Sequence, residues 1–196
     1  MRDRAARRVV QLFVSCVVLG AGVALLLDAR LGSDGYSMLI NGLSITTGVE
    51  FVVVNVVVGV VFVGLAWLRG RTPGLGTVVQ PVVVGFVVSA LLPVLPTPDS
   101  LGARCGELAL AFVLLILGVA GYLAADLGAG PTEVAALAWD PPVPFRWSYS
   151  AVQFLGGLIG WLCGADLGVG TIIVVVLIGP CVARLIPLLS PVRDKV

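Results

Sequence analysis

The sequence predicts an all-α polytopic membrane protein: six transmembrane helices in two inverted three-helix repeats, with short interrupted or re-entrant segments between them. Three observations carry this reading. The composition is too apolar for water, six apolar runs approach the length of a span, and an odd number of those runs is duplicated within the chain.

Of 196 residues, 59% are apolar and 12% are charged. Soluble domains carry about 45–50% apolar and about 25% charged residues. So little charge cannot cover a water-facing surface, and it also excludes a disordered chain. The net charge of +1 gives no attraction for a polyanion. There is no basic stripe interleaved with aromatics, which excludes nucleic-acid binding. Histidine is absent, so His-based triads, metal sites and proton relays are excluded together. Cys16, Cys105, Cys163 and Cys181 form no CxxC pair, and three of them sit in apolar runs as small hydrophobes. No metal or cofactor is expected.

The six runs cover 9–27, 51–68, 77–95, 108–125, 147–163 and 171–189. A helix needs about 20 apolar residues, range about 17–25, to cross about 30 Å of hydrocarbon. Many runs are Val-rich, but their length and lack of alternation argue for helices over strands. Arg184 is the one charge within them, five residues before Leu189, where it can snorkel to an interface. The first run follows Arg2, Arg4, Arg7 and Arg8 and could be read as a signal peptide. Its full span length and its counterpart later in the chain argue for a retained helix.

With six alternating spans, one side of the membrane holds Arg2, Arg4, Arg7, Arg8, Arg69, Arg71, Arg146, Arg184, Arg193 and Lys195. The other side holds Arg30 and Arg104. This asymmetry places both termini in the cytoplasm. Eleven Arg against one Lys, with abundant Val, Ala and Gly, suggests a GC-rich bacterial genome, hence a multi-pass protein of the bacterial inner (plasma) membrane.

Residues 22–32 match residues 118–128 at seven of eleven positions, an offset of 96. Residues 74–95 match 168–189 at nine of twenty-two, an offset of 94. The chain is thus a single membrane domain, 1–196, with repeat 1 at about 9–95, a linker at 96–107 and repeat 2 at about 108–189. A unit of three spans inverts its second copy, the architecture of many secondary transporters.

The spans are interrupted after the first and fourth helices, by residues 28–36 and 125–133, each followed by a stretch too short to cross: 37–48 and 134–139. These read as interfacial helices or re-entrant half-helices. Pro131 suits a first helical position, Glu133 a first turn, and Asp34 an N-cap. If the N–H groups at these starts are free and face a cavity between the halves, they can bind a polar or anionic group; otherwise these are capped glycine turns. Arg30 and Asp126 occupy equivalent positions with opposite charge, and no direct salt bridge between them is expected. The candidate substrate-contacting residues are Arg30, Asp34, Tyr36, Asn41, Asp126, Gly130 and Glu133.

The turns 74–77 and 168–171 share Gly-x-Gly-Thr, whose Thr hydroxyls can accept a first-turn N–H. No Lys follows, so no phosphate loop is present. Asn55, Gln80 and Gln153 lie within spans, where polar side chains bond to neighbouring helices. No Asp or Glu lies mid-span, which disfavours a proton pump built on a buried carboxylate. Gly156, Gly160 and Gly164 recur every four residues and permit a close helix crossing. Trp67, Trp147 and Trp161 sit near span ends as interfacial anchors.

The run Asp-Leu-Gly-Ala-Gly-Pro-Thr-Glu133, the turn Thr46-Thr-Gly48 and the turn Arg71-Thr-Pro-Gly-Leu-Gly-Thr77 resemble the YczE-like bacterial integral membrane proteins over nearly the whole chain. Asp34-Gly35 replaces the family's Gly-Pro in the first copy, and Ser37 stands where an acid is usual. The resemblance implies a polytopic inner-membrane protein of undefined biochemical role and supplies no catalytic residues.

The leading expectation is a small-solute permease or exporter working by alternating access between the two repeats. The alternative is a non-transporting membrane partner or scaffold of another complex. An enzyme is not expected, for want of a nucleophile–base pair. The expected partners are the lipid bilayer and a small polar solute, with a homo-oligomer left open.

Overall fold

The structure, a computed structural model, describes residues 2–190, with side chains for 5–145 and 147–190. Among the described residues there are eight α-helices and no strand. They are α1 (Arg2–Asp28), α2 (Gly35–Thr47), α3 (Phe51–Leu68), α4 (Leu75–Leu91), α5 (Leu101–Ala124), α6 (Pro131–Leu137), α7 (Phe145–Leu162) and α8 (Val169–Leu189). Of the basic residues that set the expected orientation, Arg193 and Lys195 lie outside the described residues, as do the side chains of Arg2, Arg4 and Arg146.

Four helices are long and apolar enough to cross a membrane: α1, α3, α5 and α8. The sequence predicts six. α4 has 17 residues, and α7 has 18 but carries Ser148, Tyr149, Ser150 and Gln153 in its first half. Those polar residues lower the hydropathy of α7. Two boundaries differ from expectation. α5 begins at Leu101, so most of the supposed linker is helix, with Arg104 and Glu107 in its first two turns. α4 runs 75–91, earlier than the apolar run suggests, because the chain turns at 92–95 after Leu91.

α1 forms the centre. Leu12, Cys16, Leu19, Val23 and Leu26 recur every three or four residues on one face and are buried. That face packs on α5 through Leu108, Ala111 and Leu115, and α1 also meets α4. α5 in turn meets α8, α2 lies on α7, and α3 contacts α4 and α6. The outside is apolar: Val57, Val60, Val61 and Leu65 on α3, Phe154 and Leu155 on α7, and Ile172 and Val176 on α8 are all exposed. Soluble monomers rarely present such continuous apolar surface. A lipid environment satisfies it.

Between apolar helices in lipid there is little hydrophobic drive to associate, so close backbone packing has to supply the contact. The α2–α7 crossing does this with glycine. A Cβ on Gly160 would collide with the Met38 carbonyl, and one on Gly35 with the Gln153 carbonyl. Gly156 and Gly160 thus serve packing, whereas Gly164, expected on the same face, lies beyond the end of α7 in left-handed backbone with φ of 93°.

Element starts recur along the chain. α3 and α7 have 18 residues each and begin 94 residues apart, α4 and α8 also begin 94 apart, and α2 and α6 begin 96 apart. The turns recur too. Arg30 and Asp126 both take left-handed backbone, with φ of 52° and 51°. The Gly170 N–H donates to the Leu31 carbonyl at 2.7 Å, and the Gly76 N–H to the Leu127 carbonyl at 2.8 Å. Each interrupted turn is thus clamped by the glycine start of a helix from the other half of the chain.

Candidate functional site

A cavity of about 470 Å³ lies between the two halves, a size within the range of small-molecule sites. Its wall is apolar, with Leu19, Val23, Leu115 and Val119 from the crossing of α1 and α5. Into this wall project Asp34, Tyr36, Asn55, Gln80, Tyr122, Glu133, Tyr149 and Gln153.

Local structure explains how each arrives. Asp34 is the N-cap of α2 and its carboxylate accepts the Ser37 N–H at 3.1 Å. Tyr36 follows in the first turn. Its own N–H donates to Gln153 Oε1 at 3.0 Å, and its hydroxyl to Asn55 Oδ1 at 2.9 Å. Asn55 Nδ2 donates to the Pro81 carbonyl at 2.7 Å, and Gln153 Nε2 to the Tyr149 hydroxyl at 3.1 Å. One network therefore joins α2, α3, α4 and α7. Gly130 leads into α6, with Pro131 at its start and Glu133 in its first turn. Glu133 accepts a hydrogen bond from the buried Tyr122 hydroxyl on α5. Asp34 and Glu133 lie near enough to each other to interact electrostatically. The Gln80 carbonyl oxygen is buried with no hydrogen-bond partner.

Many lining positions come in pairs separated by the repeat offsets. Leu19 and Leu115, Val23 and Val119, and Ser37 and Glu133 are 96 apart, and each pair belongs to the wall. Phe51 and Phe145, Asn55 and Tyr149, and Gln80 and Val174 are 94 apart and do the same.

The seven sequence candidates divide. Asp34, Tyr36 and Glu133 line the cavity. Gly130 lies directly behind it, where an added Cβ would stand 2.7 Å from Glu133 Oε2 and 3.3 Å from the Tyr122 hydroxyl. Arg30 and Asn41 instead border a crevice of about 10 Å³, room for about one water, together with Ser33 and Asp166. Asp126 is at the surface, where its carboxylate pairs with Arg8 at 2.9 Å and is 93% exposed. Arg30 and Asp126 do not meet each other.

At the α2 start the capped-turn alternative holds: the Ser37 N–H is taken by Asp34 and the Tyr36 N–H by Gln153. Of the two repeated Thr residues, Thr77 accepts the Gly74 N–H at 3.1 Å, while Thr171 donates to Met38 Sδ. Sequence reading did not single out Tyr122 and Tyr149. The available signal was a tyrosine inside each of two apolar runs, which must find a polar partner. Asn55 and Gln153 bond between helices as polar residues in lipid do, and they face the cavity as well.

Comparison with known proteins agrees with the membrane reading. The chain is 27% identical over 169 residues to an uncharacterized protein of Haemophilus influenzae, covering 84% of this chain and 77% of that one. It is 24% identical over 171 residues to the uncharacterized membrane protein YczE of Bacillus subtilis, covering 85% and 80%. No solved structure matches. The model for the family of unknown function DUF6198 matches residues 6–187, so this membrane protein, a relative of YczE as its turn motifs imply, belongs to that family.

Proposed function

We propose that the protein is a small-solute permease or exporter of the bacterial inner membrane. In this reading all six long helices cross: α4 and α7, at 17 and 18 residues, reach about 26 and 27 Å at 1.5 Å per residue. Three crossings per repeat invert the second copy, both termini lie in the cytoplasm, and α2 and α6 are re-entrant. The solute sits in the central cavity and nothing is done to it chemically.

One observation carries the reading: the cavity is walled by equivalent positions from both halves. A space on a pseudo-two-fold axis can open to either side by the same motion run in opposite senses, which is the basis of alternating access. The reciprocal contacts, Gly170 on Leu31 and Gly76 on Leu127, support it, because each half holds the other's turn in the same way.

The test is flux. Purified full-length chain in liposomes, screened against pools of labelled metabolites, is expected to exchange at least one solute. Bridging the halves with a cross-link between cysteines placed at Val23 and Val119 is expected to stop it. Absence of flux across broad pools, together with one stoichiometric partner recovered from native membranes, would replace transport by the scaffold alternative. Tags on the two termini that report opposite sides of the membrane would remove the inverted arrangement.

A further inference from the structure

We propose that the central cavity binds a small organic ammonium ion. This rests on reading the cavity as the solute site and adds the chemistry of the solute. Two carboxylic acids, Asp34 and Glu133, line it, and no lining residue among those described is basic. An anion finds no opposite charge among the described lining residues, and the Tyr36 and Ser37 N–H groups in the first turn of α2 are already used by Gln153 and Asp34. A carboxylate surrounded by apolar walls is costly unless a positive charge or hydrogen-bond donors compensate it.

Two further features point the same way. Five aromatic rings border the space: Tyr36, Phe51, Tyr122, Phe145 and Tyr149. Aromatic faces attract cations most strongly where water is excluded, and they give an apolar body a surface to lie on. The Gln80 carbonyl oxygen is buried, has no donor, and stands 3.5 Å from where a Cβ on Gly130 would be, in the same corner as Glu133 Oε2. An acceptor left over beside a carboxylate calls for a ligand that brings N–H donors. A primary or secondary ammonium on a compact apolar body supplies both the donors and the charge.

The experiment uses purified full-length protein in detergent and three probes of matched body: 2-phenylethylammonium, 2-phenylethanol and 3-phenylpropanoate. Isothermal titration is expected to show the ammonium binding at least about tenfold tighter than the alcohol, with no binding of the carboxylate. Glu133→Gln and Asp34→Asn, the second of which keeps an N-cap, are each expected to weaken ammonium binding about tenfold or more. Glu50→Gln, at an exposed position, is expected to leave it unchanged. Equal affinity for the alcohol, or preference for the carboxylate, overturns the proposal on the unmutated chain alone, whatever becomes of the variants.

Displacement of bound probe by phosphatidylethanolamine but not by free ethanolamine identifies a lipid headgroup as the source of the ammonium. The reverse identifies a free solute, and both results support the ammonium class. Failure of this proposal separates from failure of the transport reading. Ammonium binding without flux in liposomes removes the permease and keeps the site. Flux of neutral or anionic solutes with no ammonium binding does the opposite.

Discussion

The two interrupted segments start from the same turn and end as different structures. After α1 the chain passes Arg30 in left-handed backbone, turns at Gly32 and enters a 13-residue helix; after α5 it passes Asp126 in the same backbone, turns at Gly128 and enters a helix of seven residues. The first is held by glycines that let α2 meet α7 backbone to backbone. The second meets α3 through side chains, with Pro131 near Gly59 and Pro81. Acid placement also differs. Asp34 precedes its helix as a cap, whereas Glu133 sits within the first turn of its helix and faces Tyr122. A shared clamp thus fixes where each segment begins, and the residues beyond it decide how tightly it is anchored.

The largest expected effect separates these two anchors. Gly160→Ala places a methyl against the Met38 carbonyl and the backbone of Leu39, neither of which can rotate away. We expect a loss of about 3 kcal/mol or more, read as failure to accumulate or a large drop in melting temperature in detergent. The counterpart is Gly59→Ala, whose methyl would stand 3.3 Å from Pro81 Cβ and 3.5 Å from Pro131 Cγ. Small shifts of side-chain atoms accommodate that, and about 1 kcal/mol or less is expected. Equal losses at the two sites would erase the distinction between backbone and side-chain anchoring.

A smaller effect tests the network that ties the first segment to the cavity. Asn55→Leu removes the Oδ1 acceptor of the Tyr36 hydroxyl, which keeps only a long contact of 3.4 Å to the Asn55 carbonyl, and it removes the donor to the Pro81 carbonyl. Hydrogen bonds between helices in membranes average about 0.6 kcal/mol, and leaving a buried hydroxyl unpaired costs about 1–3 kcal/mol. A loss of about 1–2 kcal/mol is expected by thermal or denaturant unfolding. Tyr36→Phe in the Asn55→Leu background is expected to recover part of it, because the poorly bonded hydroxyl is then gone.

How much of this was legible beforehand follows from the kind of signal each feature leaves. The long apolar helices are written in composition, and four of the six expected spans are helices long and apolar enough to cross. The caps at Asp34 and Pro131 were readable too, since capping is local. Which helix lies against which was not. A single sequence gives the glycine spacing on α7 but not that Gly160 meets Met38. The start of α5 was misplaced because Arg104 and Glu107 fall in a helix that extends past its apolar run. The same limit governs the cavity. The turn motifs located Asp34, Tyr36 and Glu133, whereas Tyr122 and Tyr149 enter only through the packing of α5 and α7. Arg30 and Asp126 shared the motif and went elsewhere: each takes left-handed backbone just before the clamped Leu31 or Leu127, outside the cavity wall.

The smallest expected effects lie at those two residues, and they sharpen the comparison most finely. Arg30 and Asp126 hold nearly identical φ, a region that costs an L-residue roughly 1–2 kcal/mol and glycine little. Glycine at either position relieves that cost and gives back part of it through a more flexible unfolded chain, so by backbone alone the two substitutions should match. They differ in what the side chain holds. Arg30→Gly removes a side chain bordering a crevice of about 10 Å³, with no hydrogen bond to the Arg30 side chain among those found, and should stabilise by about 0.5–1 kcal/mol. Asp126→Gly also removes the partner of Arg8, but that pair is exposed on the Asp126 side, and Arg8 keeps its bonds to the Ala125 and Asp126 carbonyls. Exposed pairs contribute about 0–1 kcal/mol, so the net change should lie near zero. Melting both variants at low and at high salt checks the assignment: the difference between them should shrink as salt screens the Arg8–Asp126 pair, and a difference independent of salt would mean that the two turns are not strained alike.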